Sequence, residues 1–265
     1  VAGGYTVSGD ASANTVTIAG GNVGQTAGGY TESGAASNNK AGVTSGTISE
    51  DLYGGYTAKG AAESNEVTIS GGTVEGKVYA GYTADGSASN NEAAITGGTL
   101  NDEVYGGYTA AGGSAASNDV TILGGSFNNK NIYGGYVAAG TGSASANRVS
   151  VDADTAANIA NVYGGYTVGS GGASSNDVTI ANGTITGSVT GGYANSGTST
   201  GNSVEIANGT IGGTAYGGYV SSEGTAETNT ITVNGGTVAR VAGGYTVSGD
   251  ASANTVTIAG GNVGQ

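Results

Sequence analysis

Apolar residues recur along this chain at alternate positions in short runs. The recurring runs are Asn-x-Val-Thr-Ile, Gly-Gly-Thr-Val and Val-Tyr-Gly-Gly-Tyr-Thr, separated by clusters of Gly, Ser, Ala and Asn. Alternation with β-branched and aromatic enrichment predicts three short strands, and the clusters between them predict turns. No stretch carries the 3.6-residue periodicity of a helix of useful length.

The runs repeat on a regular beat. The invariant tyrosine of Gly-Gly-Tyr falls at Tyr5, Tyr30, Tyr56, Tyr82, Tyr108, Tyr136, Tyr166, Tyr193, Tyr219 and Tyr245, at spacings of 25 to 30 residues. A beat of this length signals a solenoid or another stacked repeat architecture. The predicted fold is therefore all-β, a three-sided parallel β-solenoid (β-helix) of about ten coils of roughly 26 residues, running as one continuous array over 1–265. Residues 241–265 repeat residues 1–25 without a change, which is expected of a window from a longer array with a 240-residue period.

Aligned coils form chemically uniform columns. Two alternating apolar columns start at Val16 and Ile18 and run to Val256 and Ile258. A third holds Val23, Ile48, Val74, Leu100, Phe127, Ile159, Ile185, Ile211, Val238 and Val263, and a fourth, mostly aliphatic, precedes the tyrosine motif. Stacked inward, each aliphatic side chain contributes ~1.5–3 kcal/mol. An asparagine column has no exception: Asn14, Asn39, Asn65, Asn91, Asn118, Asn147, Asn176, Asn202, Asn229 and Asn254. Its parity matches the inward Val and Ile. A carboxamide both donates and accepts, so identical copies are expected to bond to those above and below at an interior corner.

Tyrosine forms a second, interrupted column at Tyr53, Tyr79, Tyr105, Tyr133, Tyr163 and Tyr216. Its run from Tyr53 to Tyr163 is a candidate outer contact strip for sugars or neighbouring fibres, with a structural aromatic ladder as the plainer reading. The invariant column is the better candidate for partial burial. A ring from either column is expected to cover the intervening glycines. The longer spacings fall between Tyr108 and Tyr193, in segments including 151–165, so the shaft is expected to bulge there.

Composition narrows the chemistry. The 265 residues include 56 Gly but no Pro, Cys, Met, Trp or His, and the net charge is −13 with six Lys and Arg. Clustered cations, which phosphate contact requires, are absent, so neither nucleic acid nor an anionic membrane surface is an expected partner. No run is long and apolar enough to predict membrane insertion in this segment. Without His or Cys there is no Ser–His–Asp or Cys–His set, and no enzyme is expected. No cofactor is expected either, apart from a surface cation. The residue after each ladder Asn forms an outward column in which Lys40 neighbours Glu66, and Arg148 sits between Asp119 and Asp177. Glu66, Glu92 and Asp119 are three consecutive carboxylates: a solvated acidic stripe, or a candidate weak Ca²⁺ site. Thr-x-Thr pairs are too sparse for a flat ice-binding array.

The repeated Gly-Gly-Tyr-Thr-x-x-Gly-x-Ala-Ser-x-Asn-x-Val-Thr-Ile-x-Gly-Gly-Thr-Val, with its Asn column, resembles the β-solenoid passenger repeats of bacterial autotransporter and filamentous-haemagglutinin-type adhesins. The resemblance covers the whole chain and implies an extracellular location on a bacterial surface, with roles in adhesion or matrix building. The expected function is a structural fibre or adhesin shaft. Its expected partners are further copies of itself end to end or side by side, with glycans or a host surface as others. The alternative is a carbohydrate- or cation-binding solenoid module using the Tyr strip or the acidic stripe.

Overall fold

A computed structural model describes residues 1–153 and 157–264. Among them no helix occurs, and the strands stack as a parallel β-solenoid of about ten coils. A representative coil contains the strands Thr73–Val74, Val78–Thr83, Ala88–Ser89 and Glu92–Ile95. Three of these match the expected runs. The fourth, Ala–Ser, was expected as part of a turn; at two residues it is too short to show alternation.

Each strand pairs in parallel with its counterpart in the next coil. Val78, Tyr79, Gly81, Tyr82 and Thr83 lie opposite Val104, Tyr105, Gly107, Tyr108 and Thr109. Glu92, Ala93, Ala94 and Ile95 lie between Glu66–Ile69 on one side and Asp119–Ile122 on the other. Like therefore sits on like. The four apolar columns share one core in which Leu52, Val78, Leu100, Ile122, Phe127, Ile159 and Ile185 are fully buried. Most are β-branched, which suits a pleated strand. A smaller core forms beside it where Ala115 and Ala144 meet Val137. In neighbouring coils Thr replaces that Val and is buried, with Thr83 Oγ1 donating to the Gly60 carbonyl at 2.7 Å.

The third column departs from expectation at one step. Phe127 donates its N–H to the carbonyl of Ala157, and Ile159 pairs with Lys130 rather than with Phe127. Asn128 and Asn129, at φ of 45° and 61°, turn the chain there, and the register shifts between Lys130 and Ile132. The insertion is absorbed while both side chains stay in the core. A second shift in this region falls between Val151 and Asp152. Shifts also occur outside it, at Ile18–Asn22 and between Ile211 and Thr214. Within the expected bulge, 154–156 lie outside the described residues.

Candidate functional site: an asparagine spine and a tyrosine herringbone

The backbone of each coil makes one sharp corner, and the asparagine column occupies it. The residue before each ladder Asn has a left-handed backbone, as at Ser64 (φ 55°), Asn90 (φ 56°), Ser117 (φ 56°) and Ala146 (φ 54°). That corner turns the Asn side chain inward. From Asn39 to Asn229 these side chains are 0–1% exposed.

From Asn39 to Asn229 every side-chain donor and acceptor of the spine is used. Asn91 Nδ2 donates to Asn118 Oδ1 at 2.9 Å, and the Asn91 backbone N–H donates to the same oxygen at 3.0 Å. The second Nδ2 proton goes to the carbonyl of Ala62 at 3.0 Å, one coil behind. The same three bonds recur along the stack, as at Asn118, Asn147 and Asn176. Among the described residues no buried side-chain polar atom lacks a partner. A satisfied buried network of this kind fixes register, because a shift by one residue would orphan each carboxamide.

Opposite the spine lies the tyrosine motif. A Cβ on Gly107, the second glycine, would run into the carboxamide of Asn118, and the same holds for Gly55 with Asn65 and Gly81 with Asn91. This glycine is small because the spine passes against it. The expectation that it waits for a covering ring misses that reason. Both glycines face inward, so the strand bends between two outward tyrosines and presents both rings on one face.

The two columns form a herringbone. The invariant column stacks without interruption from Tyr5 to Tyr245, with centroids 4.2–5.3 Å apart and planes within 18°. The other column stacks from Tyr53 to Tyr163 at 4.9–5.1 Å. Within a coil the two rings meet edge to face, as Tyr79 and Tyr82 do at 5.2 Å and 77°. Both geometries are favoured by the ring quadrupole, each contributing ~0.5–1.5 kcal/mol beyond burial.

Burial reverses the expected order of the columns. Tyr53, Tyr79, Tyr105 and Tyr133 are 3–6% exposed, whereas the invariant Tyr56, Tyr82, Tyr108 and Tyr136 are half-buried. Each ring of the first column is edged by invariant rings of two coils, as Tyr79 is by Tyr82 and Tyr108. The candidate contact strip Tyr53, Tyr79, Tyr105, Tyr133 and Tyr163 thus faces outward but has its ring faces stacked on one another. Within this run only the end rings keep a face that no ring of the column covers: Tyr53 toward Ala27 and Tyr163 toward Thr190.

A polar column missed in the sequence flanks these rings. It contains Asp51, Lys77, Glu103, Asn131 and Asn161, each two residues before a tyrosine and so on the same strand face. That i, i+2 parity is the signal that could have revealed it. Tyr53 donates to Asp51 at 2.9 Å and Tyr105 donates to Glu103 at 2.5 Å. Asn131 donates to the hydroxyl of Tyr133 at 3.1 Å, and Lys77 Nζ lies 3.3 Å from Glu103. Burial raises the Glu103 carboxyl, but the hydrogen bond from Tyr105, the Lys77 ammonium and Asn131 outweigh it, and the net shift is downward. Burial first, then neighbouring phenols and carboxylates, raises the tyrosines: Tyr56, Tyr136 and Tyr163 to about 12, and Tyr53, Tyr79 and Tyr105 further.

The outward charged column holds Glu66, Glu92 and Asp119 on three consecutive coils. Lys40 Nζ lies 2.6 Å from Glu66, and Arg148 lies 3.6 Å from Asp119 and 4.0 Å from Asp177. Among the described residues no three carboxylates converge as a metal ion requires. The carboxylates of the candidate Ca²⁺ site stand in a line, and its two end members, Glu66 and Asp119, are paired with cations. No protein-family model matches the chain, and no curated protein or solved structure matches it.

Proposed function

We propose that this chain is part of a stiff structural shaft, a tandem-coil fibre or adhesin stalk on a bacterial surface, whose task is reach. The observation that carries this reading is the continuous parallel stack, its local register shifts absorbed at bulges, with an asparagine spine and a tyrosine ladder running its full length. Such a stack lengthens by adding coils, because each coil contacts only its neighbours.

The identical coils 1–25 and 241–265 support continuation with further copies. The net charge of −13 favours solubility and keeps shafts apart. A glycan- or cation-binding module draws less support, since most ring faces of the strip stack on one another and Glu66 and Asp119 are paired with Lys40 and Arg148.

Small-angle scattering on chains carrying one and two 240-residue periods tests the proposal. Nine added coils should lengthen the particle by ~43 Å at ~4.8 Å per coil, at constant cross-section. A particle that grows in all dimensions would refute it.

A further inference from the structure

The first tyrosine column is broken at one interior coil. Successive residues there are Tyr133, Tyr163, Thr190 and Tyr216, and parallel register places Thr190 directly between Tyr163 and Tyr216. Everywhere from Tyr53 to Tyr163 each coil supplies one ring, stacked on the next at 4.9–5.1 Å. Two strand spacings come to roughly 9.6 Å, so replacing one ring by Thr leaves room for about one ring.

The surface opens at this point into a cavity of about 270 Å³. Tyr163 and Tyr216 bound it along the stack, and Tyr193 and Tyr219 of the invariant column flank it. Thr190 forms its floor and is 2% exposed. The neighbouring rings have not closed over the gap. Tyr163 stands 6.2 Å from Tyr193, whereas the equivalent pairs of the uninterrupted run keep 5.3–5.7 Å; Tyr216, whose next neighbour in the column is Ala242, stands 6.0 Å from Tyr245.

The rim is chemically matched to a phenol. In three other coils the polar residue two before the tyrosine bonds its hydroxyl: Asp51 with Tyr53, Glu103 with Tyr105 and Asn131 with Tyr133. Here that position is Ser188, a small side chain that accepts an N–H from Thr214 at 3.2 Å and keeps its own proton to donate. Asn161 lines the same opening.

We propose that this slot binds one planar phenolic ring of a small molecule, intercalated between Tyr163 and Tyr216 with its hydroxyl at Ser188. The other losses of a ring differ. At Ala2 and Ala27 two consecutive coils lack it, so a guest there would meet an aromatic face on one side at most. Ala242 lies in the last coil, where Tyr216 is its one neighbour in this column. The proposal stands independently of the shaft reading.

The test uses the whole chain with 4-methylphenol, the tyrosine side chain cut at its β-carbon, followed by calorimetry and NMR. Saturable binding is expected, with nuclear Overhauser contacts from the probe to the Tyr163 and Tyr216 rings. Thr190→Tyr fills the slot and should weaken binding about tenfold or more, while raising the melting temperature. Cyclohexanol, similar in size but not planar, should not compete. The proposal is overturned by absent saturation, by undiminished binding in folded Thr190→Tyr, by equal competition from cyclohexanol, or by binding of a tyrosine peptide but not of 4-methylphenol. Should Thr190→Tyr fail to fold, contacts to Tyr163 and Tyr216 in the native chain decide alone, and their absence refutes the site.

Discussion

Asn118 Nδ2 donates to Asn147 Oδ1 at 2.9 Å while the Asn118 backbone N–H donates to the same oxygen at 3.0 Å. One carboxamide thus ties both side chain and main chain of one coil to the next. Replacing Asn118 by Asp removes both Nδ2 donors and buries a charge. The expected loss at neutral pH is several kcal/mol, larger than for Asn118→Ala. Burial should raise the introduced carboxyl above its unfolded value. The Asp variant is then most stable below its unfolded pKa and weakens as pH rises through the raised folded pKa. Chemical denaturation at acidic and neutral pH checks both points; equal stability of Asp and Ala variants at neutral pH would contradict the spine's role.

The two glycines of the tyrosine motif should respond differently to a methyl group. Gly107→Ala drives a Cβ into the Asn118 carboxamide and should destabilise by about 3 kcal/mol. Gly106→Ala should cost less: its Cβ would come 2.5 Å from the Gly134 carbonyl oxygen, but Ala80 stands at the same place in its coil and packs in the core, so the strand can shift to take the methyl group. Thermal denaturation of the pair gives the comparison, and a reversed order would remove the spine as the reason for the second glycine.

Ser117 carries a left-handed backbone, φ 56°, with an exposed side chain. A non-glycine residue pays about 1–2 kcal/mol there, partly offset for glycine by its greater freedom when unfolded. Ser117→Gly should therefore stabilise by about 0.5–1 kcal/mol. The chain already places Gly201, φ 65°, at the equivalent corner of another coil. Ser117→Val should destabilise, and urea midpoints for the two variants should move in opposite directions.

Alkaline pH should unfold the shaft through its tyrosines. Their folded pKa values lie above the unfolded value of 10.0, at about 12 for Tyr56, Tyr136 and Tyr163. A raised folded pKa means the stabilisation is complete below pH 10 and is lost as pH climbs towards 12. Several such groups titrating together should steepen the fall. Melting temperature and phenolate absorbance should change together over this window; full phenolate formation in a chain that stays folded near pH 10 would contradict the burial of the first column.

Much of this architecture could be read from repetition alone. Aligning coils on Tyr56 and Tyr82 puts Val67 on Ala93 and Asn65 on Asn91, and the parallel register does the same. The tyrosines were harder to orient. Strand parity predicts that Tyr79 and Tyr82, three apart, face opposite ways; two inward glycine positions between them bend the strand and put both outside. The Ala88–Ser89 strand left no pattern long enough to detect, and the left-handed backbone at Ser117 carries no glycine to mark it.

Amino-acid order by itself determined the period, the inward columns and the asparagine spine, because an identical side chain at an identical step has one natural neighbour, its own copy. Only the folded stack decided which tyrosine is covered, that Glu103 bonds Tyr105, and that the ring missing at Thr190 leaves an open slot. Those outcomes depend on distances between coils and on a bend in the strand, and neither is written in the spacing of residues along one chain.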